Sequence, residues 1–226
     1  MNGITELSGQ LLLQIKKQAA TNIEQDALAS YSMSQFVEEL RSDNALKTFW
    51  INIYNSYYQI LAADHNESKG SIYKRKEIKI AGELFALDDV EHGILRRYRW
   101  KWSKGCIPHP FTPALIRKLA AKKIDYRIHF ALNCGAVSCP PIAFYREEQI
   151  EQQLEMATAS FLESETKIET SSKTVYSTAL FSWFAGDFGG KKGALQIIGR
   201  VLNHDLKDFK LKYTKYNWDK KLANFS

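Results

Sequence analysis

The sequence is short of cysteine, of proline and of long apolar runs. Three cysteines in 226 residues are too few for a secreted disulfide framework. Five prolines and twelve glycines exclude a collagenous chain, and no low-complexity tract or repeat occurs. No stretch reaches the roughly 18 apolar residues that a membrane-crossing helix needs. The opening MNGITELSGQLLLQIKK has too short an apolar run for a leader and reads instead as an amphipathic helix. The chain is therefore expected to be cytoplasmic, or exported if a leader has been removed.

What is present is ordinary globular composition, with 45% hydrophobic and 25% charged residues. The net charge is +6, partly clustered in Lys69–Lys79 and Arg96–Lys104. A basic surface favours anionic partners, although a solvated charged face has the same composition. RRYRWKWSK interleaves aromatics with Arg and Lys, as single-strand binders do. No recognition motif accompanies it, and a nucleic-acid partner is not expected.

Periodicity predicts mostly helices. Leu7, Leu11, Ile15 and Ala19 recur at i+4 within Thr5–Thr21, and Ser32 is placed to cap a second helix. The stretch from Asn44 to Asp64 carries a thick apolar stripe, and a polar loop is expected over His65–Gly70. Further helices are expected at DDVEHGILRR, after Pro113, over Arg146–Ser164 and over Gly193–Asn203. Short strands are expected at Lys76–Ala81, at Thr174–Ala179 and in the tail. Asp125–Asn133 alternates, with Arg127 and His129 opposite Tyr126 and Phe130, and is read as a strand. The expected fold is α+β: a mostly helical single domain around a small sheet. Residues 1–43 would form a helical segment packed on a main domain of residues 44–226.

Two of the three cysteines fall in HFALNCGAVSCPP, at Cys134 and Cys139. Gly135 frees the backbone to turn, and Pro140 keeps Cys139 out of the helical region. Loops set on rigid elements commonly carry chemistry. A thiolate needs a cationic neighbour and a base, yet free cysteine is often simply buried. A C-x4-C pair can close a small ring, but a cytosolic setting argues against a permanent disulfide. Zinc would need four ligands, and Cys106, His109, Cys134 and Cys139 are loosely spaced for it. The knuckle pattern is missing and Pro108 stiffens the segment, so no metal or cofactor is expected.

In FWINIYN, Asn52, Asn55 and the nearby Gln59 share a helical face. They either brace neighbouring backbone or line a site and orient a catalytic group. In LDDVEHGILRR, Glu91 and His92 are adjacent and diverge by about 100° on an α-helix, so they do not readily form a dyad. His92 and Arg96 are four apart and share a face. His92 is then available as a base for a cysteine elsewhere, and Arg96 as a holder of an anion. His129 is the alternative base. Each histidine is equally open to a packing role.

Taken together, FWINIYN, LDDVEHGILRR, RIHFALNCGAVSCPP, FSWFAGDFG and the closing YNWD resemble the signature blocks of the domain-of-unknown-function 547 family. The resemblance runs from about Leu46 to Asn224. Carried over by position, it implies a polar set of Asn52, Asn55, Glu91, His92, Arg96, His129, Asn133, Cys134, Cys139 and Asp187. Cys106 and His109 match no block. The tail reads YNWD where the family more often has Tyr-Asp-Trp, and no function is assigned there. Many bacterial members of the family carry export signals, and no such signal is seen here.

The expectation is a Cys/His-centred pocket of a thiol-dependent hydrolase or acyl transferase acting on an amide or ester. Cys134 is the first choice of nucleophile and Cys139 the second. His92, supported by Glu91 or Asn52, is the preferred base and His129 the reserve. Amides near Gly135 would hold an oxyanion. Asn52, Asn55, Arg96 and Asn133 would contact the substrate, with Arg96 gripping a carboxylate or phosphate. The nearest analogy is a papain-like or transglutaminase-like hydrolase. The alternative is a non-catalytic binding module for a small anionic ligand or a peptide.

Overall fold

The structure, a computed structural model, describes residues 3–64 and 72–226; the loop expected over His65–Gly70 lies outside the described residues. Helix α4 (Asp43–Asp64) is the axis of the molecule. Every residue from Ala45 to Gln59 is buried, so this helix is surrounded rather than laid on a surface. Phe49 and Trp50 meet edge to face at 5.0 Å, and Phe36 and Phe85 close on Trp50 at 5.8 and 5.2 Å. Such ring pairs each add about 0.5–1.5 kcal/mol beyond their buried area.

Helices α1 (Ile4–Lys16) and α2 (Asn22–Ser30) precede α3 (Met33–Glu39). α1 packs along α4. Ser32 caps α3 as expected, in a capping box with Gln35: the Gln35 amide donates to Ser32 Oγ (3.3 Å) and the Ser32 amide to Gln35 Oε1 (3.3 Å). Strands β1 (Ile78–Ile80) and β2 (Glu83–Phe85) form an antiparallel hairpin. Helix α5 (Ala114–Leu119) follows, then α6 (Ile150–Glu165).

The second sheet has the order β3 (Lys167–Glu169), β4 (Thr174–Ser177), β5 (Lys210–Tyr213). β3 and β4 are antiparallel, and β4 and β5 are parallel. Helices α7 (Leu180–Trp183) and α8 (Gly190–Leu202) lie between β4 and β5 in the chain. The fold is thus mostly helical α+β, with sheets of two and three strands among the described residues.

The strand expected over Asp125–Asn133 does not form. Tyr126–Phe130 is a 3-10 turn, not a strand. Asp125 caps it, accepting from the Arg127 amide at 3.1 Å. The same carboxylate is fixed by Lys47 Nζ (2.9 Å) and Arg127 Nη2 (2.6 Å), and both cations also reach Glu151 on α6. A capped start and a charge cluster at its root hold the segment in a helical turn. Its alternation served another end: Ile128 joins the core around α4, and Phe130 joins a second core with Phe161, Phe181 and Phe188.

Candidate functional site

The turn carrying His129 and Phe130 lies where the two cores meet. Beside it is a cavity of about 440 Å³ whose lining draws on Tyr54 and Leu132 from the first core and Leu180 from the second. Its polar side presents Glu91, His92, His129, Cys134 and Cys139; Trp183, Phe184, Tyr216 and Trp218 supply aromatic faces. A smaller hollow of about 260 Å³ adjoins it and shares Asp88, His92, Lys101 and Trp102.

Glu91 and His92 lie on a π-helical stretch, Asp89–Leu95, rather than an α-helix. The Arg96 amide donates to the Glu91 carbonyl at 3.0 Å, an i to i−5 bond. Such bulges gather at functional sites. Here the bulge lets both side chains line one cavity without joining them: Glu91 Oε1 is 3.8 Å from His92 Nδ1. Tyr54 OH donates to Glu91 Oε2 at 3.1 Å, and the phenol, with its pKa raised by burial and then by Glu91, stays protonated.

Arg96 is completely buried. The anion it holds belongs to the protein: Arg96 Nε pairs with Asp187 Oδ2 at 2.5 Å. This corrects the expectation that Arg96 grips a substrate carboxylate or phosphate. Its Nη1 lies 2.7 Å from His92 Nδ1. A guanidinium only donates, so Nδ1 accepts and the His92 proton sits on Nε2. Among the described residues the nearest acidic atom to that N–H, Asp88 Oδ1, is 3.7 Å away. His92 therefore carries an N–H rather than a free lone pair at Nε2, where a base had been expected.

His129 is arranged the other way round. Its Nε2 lies 2.9 Å from Asp187 Oδ2. Burial opposes ionisation of Asp187, but the hydrogen bonds from His129 and Arg96 outweigh it and keep the carboxyl below its usual range. The carboxylate accepts, so Nε2 carries the proton and Nδ1 keeps its lone pair. Phe184 stacks on the His129 ring at 3.9 Å and lies under the Arg96 guanidinium at 4.5 Å, fixing both planes.

The buried imidazoles make the protein acid-sensitive. Burial first, and Arg96 second, lower the His92 pKa to about 4; burial also lowers that of His129. Between an ordinary pKa near 6.5 and about 4, the unfolded chain binds more protons than the folded one. Stability should therefore fall as the pH drops through that interval, by up to about 3 kcal/mol from His92 alone. Urea denaturation midpoints measured from pH 7 to 4 read this directly, and a flat profile would contradict it.

The two cysteines are bonded to each other, a pairing that the expected cytosolic setting had weighed against. Neither is a free thiol in this structure, and Cys106 stands apart, exposed and unpaired. Among the described residues no group of three or more His, Cys, Asp or Glu side chains is arranged to hold a metal ion. Gly135 does not offer its amide to a substrate. That N–H donates to Asn133 Oδ1 at 2.8 Å. The glycine's φ of +65°, with the Tyr58 ring packed where a Cβ would stand, excludes a side chain.

Asn52, Asn55 and Asn133 are all fully buried and spend their amides on backbone. Asn52 Nδ2 donates to the Tyr145 carbonyl (3.0 Å) and its Oδ1 accepts the Tyr145 amide (3.1 Å). Asn55 does the same for the Ala131 carbonyl (3.0 Å) and the Asn133 amide (2.8 Å). Asn133 Nδ2 then ties the Pro140 carbonyl at 2.7 Å, closing the cysteine loop. A chain of amides from α4 thus sets the loop; each buried partner left unpaired would cost about 1–3 kcal/mol.

Sequence reading missed the tail. Val137 and Ser138 amides donate to the Asp219 and Asn217 carbonyls (3.0 and 3.3 Å), and the Lys221 amide to the Gly135 carbonyl (2.7 Å). This seats Tyr216 and Trp218 on the cavity. They cluster with Trp183, at 4.8 Å from Tyr216 and 5.3 Å from Trp218. The signal was present in the aromatics of FSWFAGDFG and YNWD, but only the fold brings those segments together.

Among the described residues no helix is long and apolar enough to cross a membrane. No curated protein and no solved structure matches the chain. The family described as "Protein of unknown function, DUF547" matches residues 37–162, a span that holds α4, the π-helical stretch and both bonded cysteines, while Asp187 and the aromatic tail fall beyond it. The chain belongs to the DUF547 family.

Proposed function

We propose that the cavity is the site of a thiol-dependent hydrolase or acyl transferase acting on an amide or ester, with Cys134 as nucleophile once its disulfide is opened. The observation that carries this reading is the Asp187–His129 pair. It leaves the Nδ1 lone pair of a neutral imidazole on a residue that lines the same cavity as Cys134. In this reading His129 takes the proton of the thiol and later returns it to the leaving group. The Nε2–H of His92, held by Arg96 behind it, polarises the substrate carbonyl as a neutral donor. Glu91, anchored by Tyr54, orients an N–H of the substrate. Thiol, imidazole and an orienting group are the parts of the papain-like and transglutaminase-like analogy, which rests on residue types alone.

The test is esterase activity with an activated aryl ester before and after reduction by a dithiol. Turnover that appears on reduction and disappears in Cys134→Ser is the expected result. Turnover indifferent to reduction, or retained in Cys134→Ser, would remove the thiol from the mechanism. The aromatic group of Trp183, Tyr216 and Trp218 favours a second reading, a binding pocket for a peptide or other flat ligand. Reduced protein that binds such a ligand without turning over any ester or amide would establish that alternative.

A further inference from the structure

The disulfide is not symmetric. Cys134 is half-buried and Cys139 is 5% exposed, and both line the cavity. The hydrogen bonds fall mainly on one sulfur. Cys139 Sγ accepts from the Cys134 amide at 3.1 Å and faces Tyr216 OH at 3.1 Å, whereas Cys134 Sγ has Tyr216 OH at 3.6 Å. A bonded sulfur carries no proton, so the phenol is the donor. Burial, followed by nearby carboxylates, keeps Tyr216 protonated.

We propose that Cys134–Cys139 is an exchangeable disulfide, opened by a small-molecule thiol that enters the cavity and attacks Cys134, with Cys139 as the leaving thiolate. In the first step the thiolate sulfur bonds to Cys134 Sγ. The bond between the two cysteines breaks, and its electron pair leaves on Cys139 Sγ. The products are a mixed disulfide on Cys134 and a Cys139 thiolate held by the Cys134 N–H and the Tyr216 O–H. In the second step another small thiolate attacks the outer sulfur of the mixed disulfide. It releases the oxidised small molecule and frees Cys134. Overall, two thiols are oxidised to one disulfide as the protein disulfide is reduced to two thiols.

The direction of attack follows from exposure and leaving-group stability. Exchange is faster at the accessible sulfur and when the departing thiol has the lower pKa, and hydrogen-bond donors lower a thiol pKa. The loop is built to survive the opening. Asn133 ties its two ends, and the tail residues that donate to and accept from Gly135, Val137 and Ser138 hold it against the aromatic wall. The sulfurs stay within reach of each other, so the reaction is reversible. This inference deepens the thiol-dependent reading by naming what unmasks the nucleophile, and it concerns exchange alone.

The experiment uses the oxidised full-length chain and glutathione, with acid quenching, alkylation and peptide mass analysis. Expected are reduction of the folded protein without loss of its circular dichroism and, in early acid-quenched samples of the wild-type chain, a glutathione mixed disulfide on Cys134. That adduct should form about tenfold faster than one on Cys139. Tyr216→Phe should slow opening of the otherwise wild-type disulfide by about tenfold or less while its melting temperature holds. Equal or faster adduct formation on Cys139 would overturn the proposal. So would a wild-type disulfide that resists glutathione until the chain unfolds, a result that needs no variant to fold. Exchange is read without any ester or amide present. Its failure therefore leaves open whether reduced protein hydrolyses an ester, and absence of hydrolysis leaves the exchange standing.

Discussion

Asp187→Asn is expected to lower the free energy of unfolding by about 3–5 kcal/mol. The side chains of Asp187 and Arg96 are both 0% exposed and pair at 2.5 Å. Removing one charge leaves the other in a low-dielectric interior with no compensating partner, and the guanidinium cannot deprotonate to escape. The site is already stretched: Arg96 Nη2 and Asp187 Oδ1 have no hydrogen-bond partner among the described residues. Gly105, at φ +80°, packs against both atoms, so a Cβ there would strike them. Guanidinium chloride denaturation with an unchanged slope reads the effect, and a loss below about 1 kcal/mol would show that the pair does not matter. The double replacement Arg96→Met with Asp187→Leu should cost less than either single change, because no unpaired charge remains.

His129→Gln is expected to reduce turnover of the dithiol-treated protein by about 10²–10⁴-fold, the usual contribution of a positioned base. Glutamine keeps a donor for Asp187 but has no nitrogen lone pair to accept a proton. Cys134 should still be alkylated by iodoacetamide at a pH where the thiol ionises unaided, which separates loss of the base from loss of the nucleophile. The pH profile carries a second sign. Burial depresses the His129 pKa, so the wild-type acid limb should fall below the ordinary imidazole value near 6.5. An acid limb well above that value, or full turnover in His129→Gln, would assign the base to another group.

The sequence and the structure agree where local pattern decides. The apolar density of FWINIYN foretold α4, and Ser32 was foretold as the cap of α3. The four-residue spacing of His92 and Arg96 foretold a shared face, and the structure brings the two side chains into contact there. They part where distant segments compete. Asp125–Phe130 alternates like a strand, but Lys47, Arg127 and Glu151 hold its capping carboxylate and make it a turn. Asn52 and Asn55 had the composition of site residues, yet their amides bond to backbone groups of other segments and, for Asn52, also to Ser8 Oγ.

By itself, then, the sequence determined the helical character of the chain, the family to which it belongs and the list of polar side chains worth watching. Those follow from short-range periodicity and from motif order, which a one-dimensional string carries in full. Only the tertiary structure decided what each side chain does. It gave His92 an N–H to offer and His129 a lone pair, because Arg96 stands behind one and Asp187, far along the chain, behind the other. It paired Cys134 with Cys139 and laid Tyr216 against them. Proton positions and sulfur partners depend on contacts within a few ångströms between residues separated by as many as 91 positions, as Arg96 and Asp187 are, and such contacts exist only once the two cores have closed around the cavity.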